Sequence, residues 1–311
     1  MYYFWQLYKR KERKNFKPVI LVTGCSSGVG FALAELLYSQ SQYRVVITSR
    51  LKSIAKLKER FQESSRFWIR ELDVTSDLSR SLIIKEIAEK WDSVDILINN
   101  AGISYRSVFE HMTETDEQLQ MNTNYLGPAS LIRMVIPKMR EKGRGKIISV
   151  SSVSGMLAMP TMASYSASKY ALEGMSEALW YETKPLGINV SLIQPGFIKS
   201  KSFKNVYYTK ESHPRNGFDG IYGDYYASMT PFVEKLMNLS ITCPASIAKL
   251  TLQVIQTENP PLWIPATIDA TLFYYLRRLI PRRFFLPMLF NLLPNARNWA
   301  HKYSKRRKVF K

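Results

Sequence analysis

Val19-Ile20-Leu21-Val22-Thr23-Gly24-Cys25-Ser26-Ser27-Gly28-Val29-Gly30 is the stretch from which the rest of the 311-residue chain can be read. Its first four residues are β-branched or aliphatic with no polar alternation, the pattern of a buried strand. A glycine-rich turn follows at once, and an apolar-periodic helix then runs through Leu37. Strand, turn and helix in that order form a cradle for phosphate. Gly24 permits the sharp turn, Gly28 lets the backbone approach a pyrophosphate, and Gly30 lets helix and strand pack closely. Glycines alone would indicate only a tight connection, but the strand before and the helix after favour the nucleotide reading.

A second strand, Arg44 to Ser49, ends at Arg50. A site for NAD usually places a carboxylate here, on the ribose 2′-hydroxyl; Arg50 suits a 2′-phosphate instead, so NADP(H) is expected over NAD(H). A third strand spans Phe67 to Leu72, with Asp73-Val74 at its carboxyl end. Helical spacing follows over Ser79 to Trp91, then a fourth strand, Asp95 to Ile98, enters Asn99-Asn100-Ala101-Gly102. The alternation predicts an α/β fold, a doubly wound parallel sheet with helices on both faces. Ligands on such sheets sit at the strand carboxyl ends, where these motifs fall. The pattern continues with one long helix, Asp116 to Arg140, carrying Asn124, and a fifth strand, Lys146 to Val150, ending at Ser151-Ser152. Next come a helix over Ser164 to Lys184, a sixth strand from Asn189 to Gln194 before Pro195-Gly196, a helix over Pro244 to Ile255 and a last strand, Leu262 to Ile264.

Of the 18 tyrosines, Tyr165 alone has a lysine four residues on, Lys169. That spacing puts both on one helix face, so phenol and ammonium can enter one cleft. Moving a tyrosine from pKa about 10 to about 7 takes roughly 4 kcal/mol of preferential phenolate stabilisation. One ammonium about 4 Å away, at an effective dielectric near 20, supplies about that much. Ser152 would hydrogen-bond the substrate oxygen that the tyrosine protonates or deprotonates.

The formal net charge of +19 is concentrated at the ends: residues 1–17 carry +5 and residues 271–311 carry +11 with no acid. The chain therefore divides into a basic, aromatic start (1–17), a nearly balanced catalytic domain (18–270) and a basic, apolar extension (271–311). In that extension, prolines 281, 287 and 294 break apolar clusters into short pieces, expected to lie in a membrane interface with arginines reaching the headgroups. Tyr2 to Tyr8 followed by Lys9-Arg10-Lys11 repeats the pattern. No apolar run reaches the ~20 residues of a spanning helix, and the start has the wrong order for a secretory signal. Peripheral attachment to an anionic membrane, on its cytoplasmic face, is the expectation; nucleic acid is not. Two cysteines, Cys25 and Cys243, suggest a reducing compartment. No metal-ligand spacing occurs. Segment 201–243, with eight aromatics between Phe203 and Phe232, is expected to be a lid over a hydrophobic substrate.

Taken in order, Thr23-Gly24-xxx-Gly28-x-Gly30, Asp73, Asn99-Asn100-Ala101-Gly102, Asn124, Ser152, Tyr165-xxx-Lys169 and Pro195-Gly196 resemble the short-chain dehydrogenase/reductases. The forms Gly-Cys-Ser-Ser-Gly, Leu72-Asp73-Val74 and Ala167 to Gly174 are similar to the branch of 17β-hydroxysteroid dehydrogenase type 1 and the retinol dehydrogenases. The resemblance implies Tyr165 as general acid/base and Ser152 as the group orienting the carbonyl or carbinol. It implies that Lys169 binds the nicotinamide ribose and lowers the tyrosine pKa, and that Asn124 holds a relay water. Gly24, Ser26, Ser27, Gly28, Val29 and Gly30 would contact the cofactor, with Ser27 and Arg50 on the 2′-phosphate. Asp73 and Val74 would meet the adenine, Asn100, Ala101 and Gly102 the adenosine ribose side, and Pro195, Gly196, Ile198 and Ser200 the nicotinamide. The implied activity is NADP(H)-dependent interconversion of a lipophilic alcohol and its ketone or aldehyde, by a homodimer built on helices 116–140 and 164–184. The competing class is a membrane-bound NADP-sensing or scaffold protein; the intact Asn124, Ser152, Tyr165 and Lys169 set argues against it.

Overall fold

The computed structural model describes residues 16–200, 206–216 and 220–299. The aromatic-basic start, Phe203 and Phe218 of the 201–243 segment, and the basic tail after Trp299 lie outside the described residues.

Seven parallel strands form one sheet in the order β3-β2-β1-β4-β5-β6-β7. They are β1 (Val19–Val22), β2 (Arg44–Ser49), β3 (Phe67–Glu71), β4 (Ile96–Asn99), β5 (Gly145–Val150), β6 (Ile188–Gln194) and β7 (Trp263–Pro265). The order reverses between β1 and β4, which pair in register from Ile20 with Ile96 to Val22 with Ile98. At such a reversal the connections leave to opposite faces and open a crevice at the carboxyl ends.

Both faces of the sheet are buried, which is why the strands read as continuous apolar runs. On one side α1 (Gly28–Tyr38), α2 (Ile54–Arg60) and α8 (Pro244–Gln256) pack on Ile20, Val45, Ile47 and Ile98. On the other, α3 (Asp77–Trp91), α5 (Gly127–Lys142) and α6 (Ala163–Thr183) pack on Leu21, Val46, Leu97 and Ile147. Leu21, Leu97 and Ile147 are fully enclosed; each such side chain contributes about 1.5–3 kcal/mol on leaving water.

The structure departs from the sequence reading at three places. The helix expected from Asp116 to Arg140 is two helices, α4 (Glu114–Met121) and α5, joined by a π turn over Asn122–Leu126. There Gly127 N–H reaches back five residues to Asn122 O, and Gly127 comes so near Val74 that a Cβ would lie 2.6 Å from its carbonyl oxygen. Second, α2 was not anticipated: its seven residues bury only Leu57, too few to show a helical period. Third, Pro287 does not break the extension, because it sits inside α10 (Arg282–Leu292). It removes one N–H from the ladder of a helix whose Phe284, Leu286, Met288 and Phe290 are exposed. The break falls at Pro281, between α9 (Ile268–Leu279) and α10.

Helix α9 runs across residue 270, and α9 and α10 pack on the turn that follows β5: Ala270 and Phe285 cluster with Val153, Met156 and Leu157. The remaining helix, α7 (Gly223–Leu239), buries Tyr226, Met229 and Val233. None of the described helices is long and apolar enough to cross a membrane.

Candidate active site

A cavity of about 800 Å³ opens at the carboxyl ends of the strands. At one end of it the β1–α1 turn is shaped by sterics. Gly24 has φ +72°, and a Cβ there would lie 2.7 Å from the Cα of Ala101. Gly28, at φ +59°, has open space where a Cβ would be, so a bulky anion can approach its backbone. Gly30 touches Asn100 and the Gly24 carbonyl, the close helix–strand contact expected of it. Asn100 Nδ2 locks the turn by donating to Thr23 O (2.9 Å) and Gly24 O (3.0 Å). Thr23 Oγ1 in turn accepts from the main-chain N–H of Asn100 and of Ala101, both at 3.0 Å.

Ser26, Ser27, Val29, Arg50, Asp73, Val74, Asn100, Ala101, Gly102, Pro195, Gly196 and Ile198 all line this cavity; Gly28, Gly30 and Ser200 are not among its lining residues. Arg50 stands at the end of β2 beside Lys52 and Lys56, and Lys56 Nζ donates to Ser26 O at 3.0 Å. Three cations and two serines thus surround the place where the second strand ends. Asp73 Oδ1 is occupied by Thr75, accepting from its N–H (2.9 Å) and hydroxyl (2.7 Å), which fixes the carboxylate at the rim.

The Tyr/Lys pair lies at the other end. Tyr165 and Lys169 project from α6, and Ser152 lies just after β5 within hydrogen-bonding reach of the Tyr165 hydroxyl. Lys169 is buried, its Nζ 3.0 Å from Val150 O and 5.9 Å from the centre of the Tyr165 ring. Burial pushes its pKa down to about 8, against the pull of the Glu173 carboxylate. Glu173, one turn further along α6, is buried too, and its Oε1 accepts from Ser151 Oγ (2.6 Å) and Gln194 Nε2 (2.9 Å). A Cβ on Gly102 would lie 3.2 Å from Asn124 Oδ1 and 3.8 Å from Lys169 Nζ, so the main chain there runs close to both side chains.

The electrostatics differ from those expected of the isolated pair. Burial raises the Tyr165 pKa, and what opposes it is the Ser152 hydrogen bond and then the Arg106 guanidinium, not Lys169. Arg106 shares the cavity wall, and nothing in the sequence marked it, since a single arginine in a loop carries no period. The Asn124 amide is also spoken for: Oδ1 accepts from Ile103 N–H (2.8 Å), while Nδ2 donates to Ile103 O (2.9 Å) and Ser168 Oγ (3.0 Å). A relay water on Asn124 would therefore sit on its main chain, inside the π turn, where backbone bonding is shifted by a residue.

The tight glycine turn after β1, with Ser26, Ser27 and Val29 on the cavity wall, and the cationic end at Arg50, Lys52 and Lys56 fit a dinucleotide laid across the strand ends. Such a group supplies or accepts hydride when bound. On this chain the Tyr165 hydroxyl, hydrogen-bonded by Ser152, faces the same cavity.

Comparison with known proteins identifies the family. The short chain dehydrogenase family matches residues 18–211. A 3-ketodihydrosphingosine reductase of Bacteroides thetaiotaomicron is 33% identical over 243 residues, 78% of this chain and 85% of that protein. A dehydrogenase/reductase SDR family member 7B of Xenopus tropicalis is 32% identical over 296 residues, 90% of this chain and 89% of its own. The crystal structure of a short-chain dehydrogenase from Streptomyces avermitilis superposes with TM-score 0.71 at 30% identity, covering 85% of this chain and 92% of that one. A Burkholderia phymatum homologue in complex with NAD shares the fold at TM-score 0.69 and 21% identity, over 86% of this chain and 94% of that one. The chain belongs to the short-chain dehydrogenase/reductase family, and is an oxidoreductase of the Rossmann type.

Proposed function

We propose that this chain is an NADP(H)-dependent oxidoreductase that interconverts a lipophilic alcohol and its ketone or aldehyde, with Tyr165 as general acid/base. The observation that carries the reading is the meeting of Tyr165, Ser152 and Lys169 in one wall of a cavity whose far end holds Arg50, Ser26 and Ser27. In the reducing direction Tyr165, its pKa raised by burial, stays protonated and donates to the substrate oxygen that Ser152 orients. Lys169 holds the ribose side of the nucleotide, and Asn124 anchors the π turn against α6 through Ser168.

NADP(H) is favoured over NAD(H) because β2 ends in Arg50, with Lys52 and Lys56 alongside, and no carboxylate directly follows Ser49 in the chain. A lipophilic substrate is favoured by the apolar side chains Leu119, Met159, Met162, Val206, Val233 and Met237 in the cavity lining. Val206 belongs to the segment expected as a lid, and Val233 and Met237 to its helix α7. The Bacteroides relative, named for a keto-sphingoid base, fits a keto lipid within the retinoid, steroid and acyl-lipid range.

Peripheral attachment to the cytoplasmic face of an anionic membrane completes the reading. On α9, Ile268, Leu272, Tyr275 and Leu279 recur at helical spacing on an exposed face, with Arg277, Arg278, Arg282 and Arg283 nearby. A homodimer would use the outer faces of α5 and α6.

Purified protein incubated with NADPH or NADH and a panel of retinals, steroid ketones and long-chain keto lipids tests the proposal. Oxidation of NADPH by at least one lipophilic carbonyl, faster than of NADH, is the expected outcome. Preference for NADH, or no turnover across the panel, would contradict it.

A further inference from the structure

The loop after β6 faces the cavity through Pro195, Gly196, Phe197 and Ile198. Its first two free N–H groups do not bond to the sheet. Gly196 N–H donates to Thr267 Oγ1 and Phe197 N–H to Asp269 Oδ2, both at 2.9 Å. Gly196 is packed so tightly on the Asp269 carboxylate that no side chain fits there. Thr267 is buried and also caps α9, accepting from Ala270 N–H at 3.3 Å. The same helix is seated by Ala270 on the turn after Ser152, and that turn is tied back to the loop by Val153 N–H donating to Pro195 O at 2.7 Å. Two walls of the cavity therefore lean on one helical turn that lies beyond residues 18–211, the region matched by the family.

We propose that Thr267 and Asp269 are positioning residues that hold the Pro195–Ile198 loop in the geometry the nicotinamide end of the dinucleotide requires. The first turn of α9, whose helix runs on into the C-terminal extension, is then part of the active-site machinery as well as a surface element. This rests on the reading of the cavity as a dinucleotide site. A main-chain loop held by two side-chain acceptors is set to a few tenths of an ångström, and misplacement by about 1 Å in such a site costs roughly a hundredfold in rate. Tightly capped, the two N–H groups are also withdrawn from competition for the carboxamide of the ligand.

The test compares two ligands by equilibrium titration: NADPH, and 2′-phospho-ADP-ribose, which lacks the nicotinamide ring; NADH and ADP-ribose form the parallel pair. In Thr267→Val and Asp269→Ala the dissociation constant for NADPH is expected to rise about tenfold or more, with the fragment held within about twofold. Thr267→Ser and Asp269→Asn each keep an oxygen acceptor and should restore NADPH affinity to within about threefold of wild type. Unchanged NADPH affinity in the Val and Ala variants would overturn the proposal. So would equal weakening of both ligands, which marks a general structural role. A wild type that binds neither nucleotide nor fragment would overturn the site reading and this inference with it; a wild type that binds both, matched by all four variants, overturns this inference alone.

Discussion

Lys169 is buried with its Nζ on a main-chain carbonyl, and a buried amine resists protonation. Its pKa near 8 therefore sits within reach of the working range, while that of Tyr165 is displaced upward. The sign follows: below about 8 Lys169 is charged, and the charge is lost as pH rises. Reduction should accordingly decline on the alkaline side with an apparent pKa near 8, a limb that belongs to the lysine and not to the tyrosine. Glu173 holds Lys169 in its charged form, so Glu173→Gln, which can still accept from Ser151 and Gln194, should move that limb to lower pH. A pH profile of kcat for both proteins checks this, and a limb that stays put or moves upward contradicts it. Residue types and spacing made Tyr165, Lys169 and Ser152 legible in the sequence. Arg106 and the Thr267–Asp269 pair were not, because their meaning comes from which loop they face, and no local pattern encodes that.

The strands and their order could be read from the sequence because buried parallel strands are short, apolar and closed by glycine or asparagine turns. Strand and helix limits shift from the expected ones by a few residues, as at β3, which ends at Glu71 rather than Leu72. The π turn could not be read, since Asn122 to Leu126 continues a helical pattern and the extra residue is set by Asn124 reaching Ile103 and Ser168. The helices α9 and α10 were read as separate short pieces lying flat on lipid. Their inward faces pack on the catalytic turn through Ala270 and Phe285, and their outward faces remain apolar. Leu272, Tyr275 and Leu279 are 54%, 57% and 76% exposed, far more than side chains of that kind usually are on a helix packed at its opposite face. Sedimentation with anionic liposomes at low salt should carry down the wild type, and replacement of these three by serine should return most of the protein to the supernatant. Equal sedimentation of both proteins, or a wild type that stays in solution, would remove the assigned face.

At the scale of the molecule, one sheet brings together motifs far apart in the chain. The β1–α1 turn, the ends of β2 and β4, the turn after β5, α6 and the loop after β6 all meet at one edge because every strand is parallel. The C-terminal helices close the same edge from outside. In the proposed function this convergence makes Tyr165 the group that exchanges the proton as hydride moves. The most direct measurement pairs kcat on the best lipophilic substrate with the dissociation constant for NADPH, for wild type and Tyr165→Phe. In Tyr165→Phe, kcat is expected to fall about a hundredfold or more while NADPH binding stays within about twofold, because only the transferred proton loses its carrier. Retention of more than about a tenth of wild-type kcat by Tyr165→Phe would contradict it.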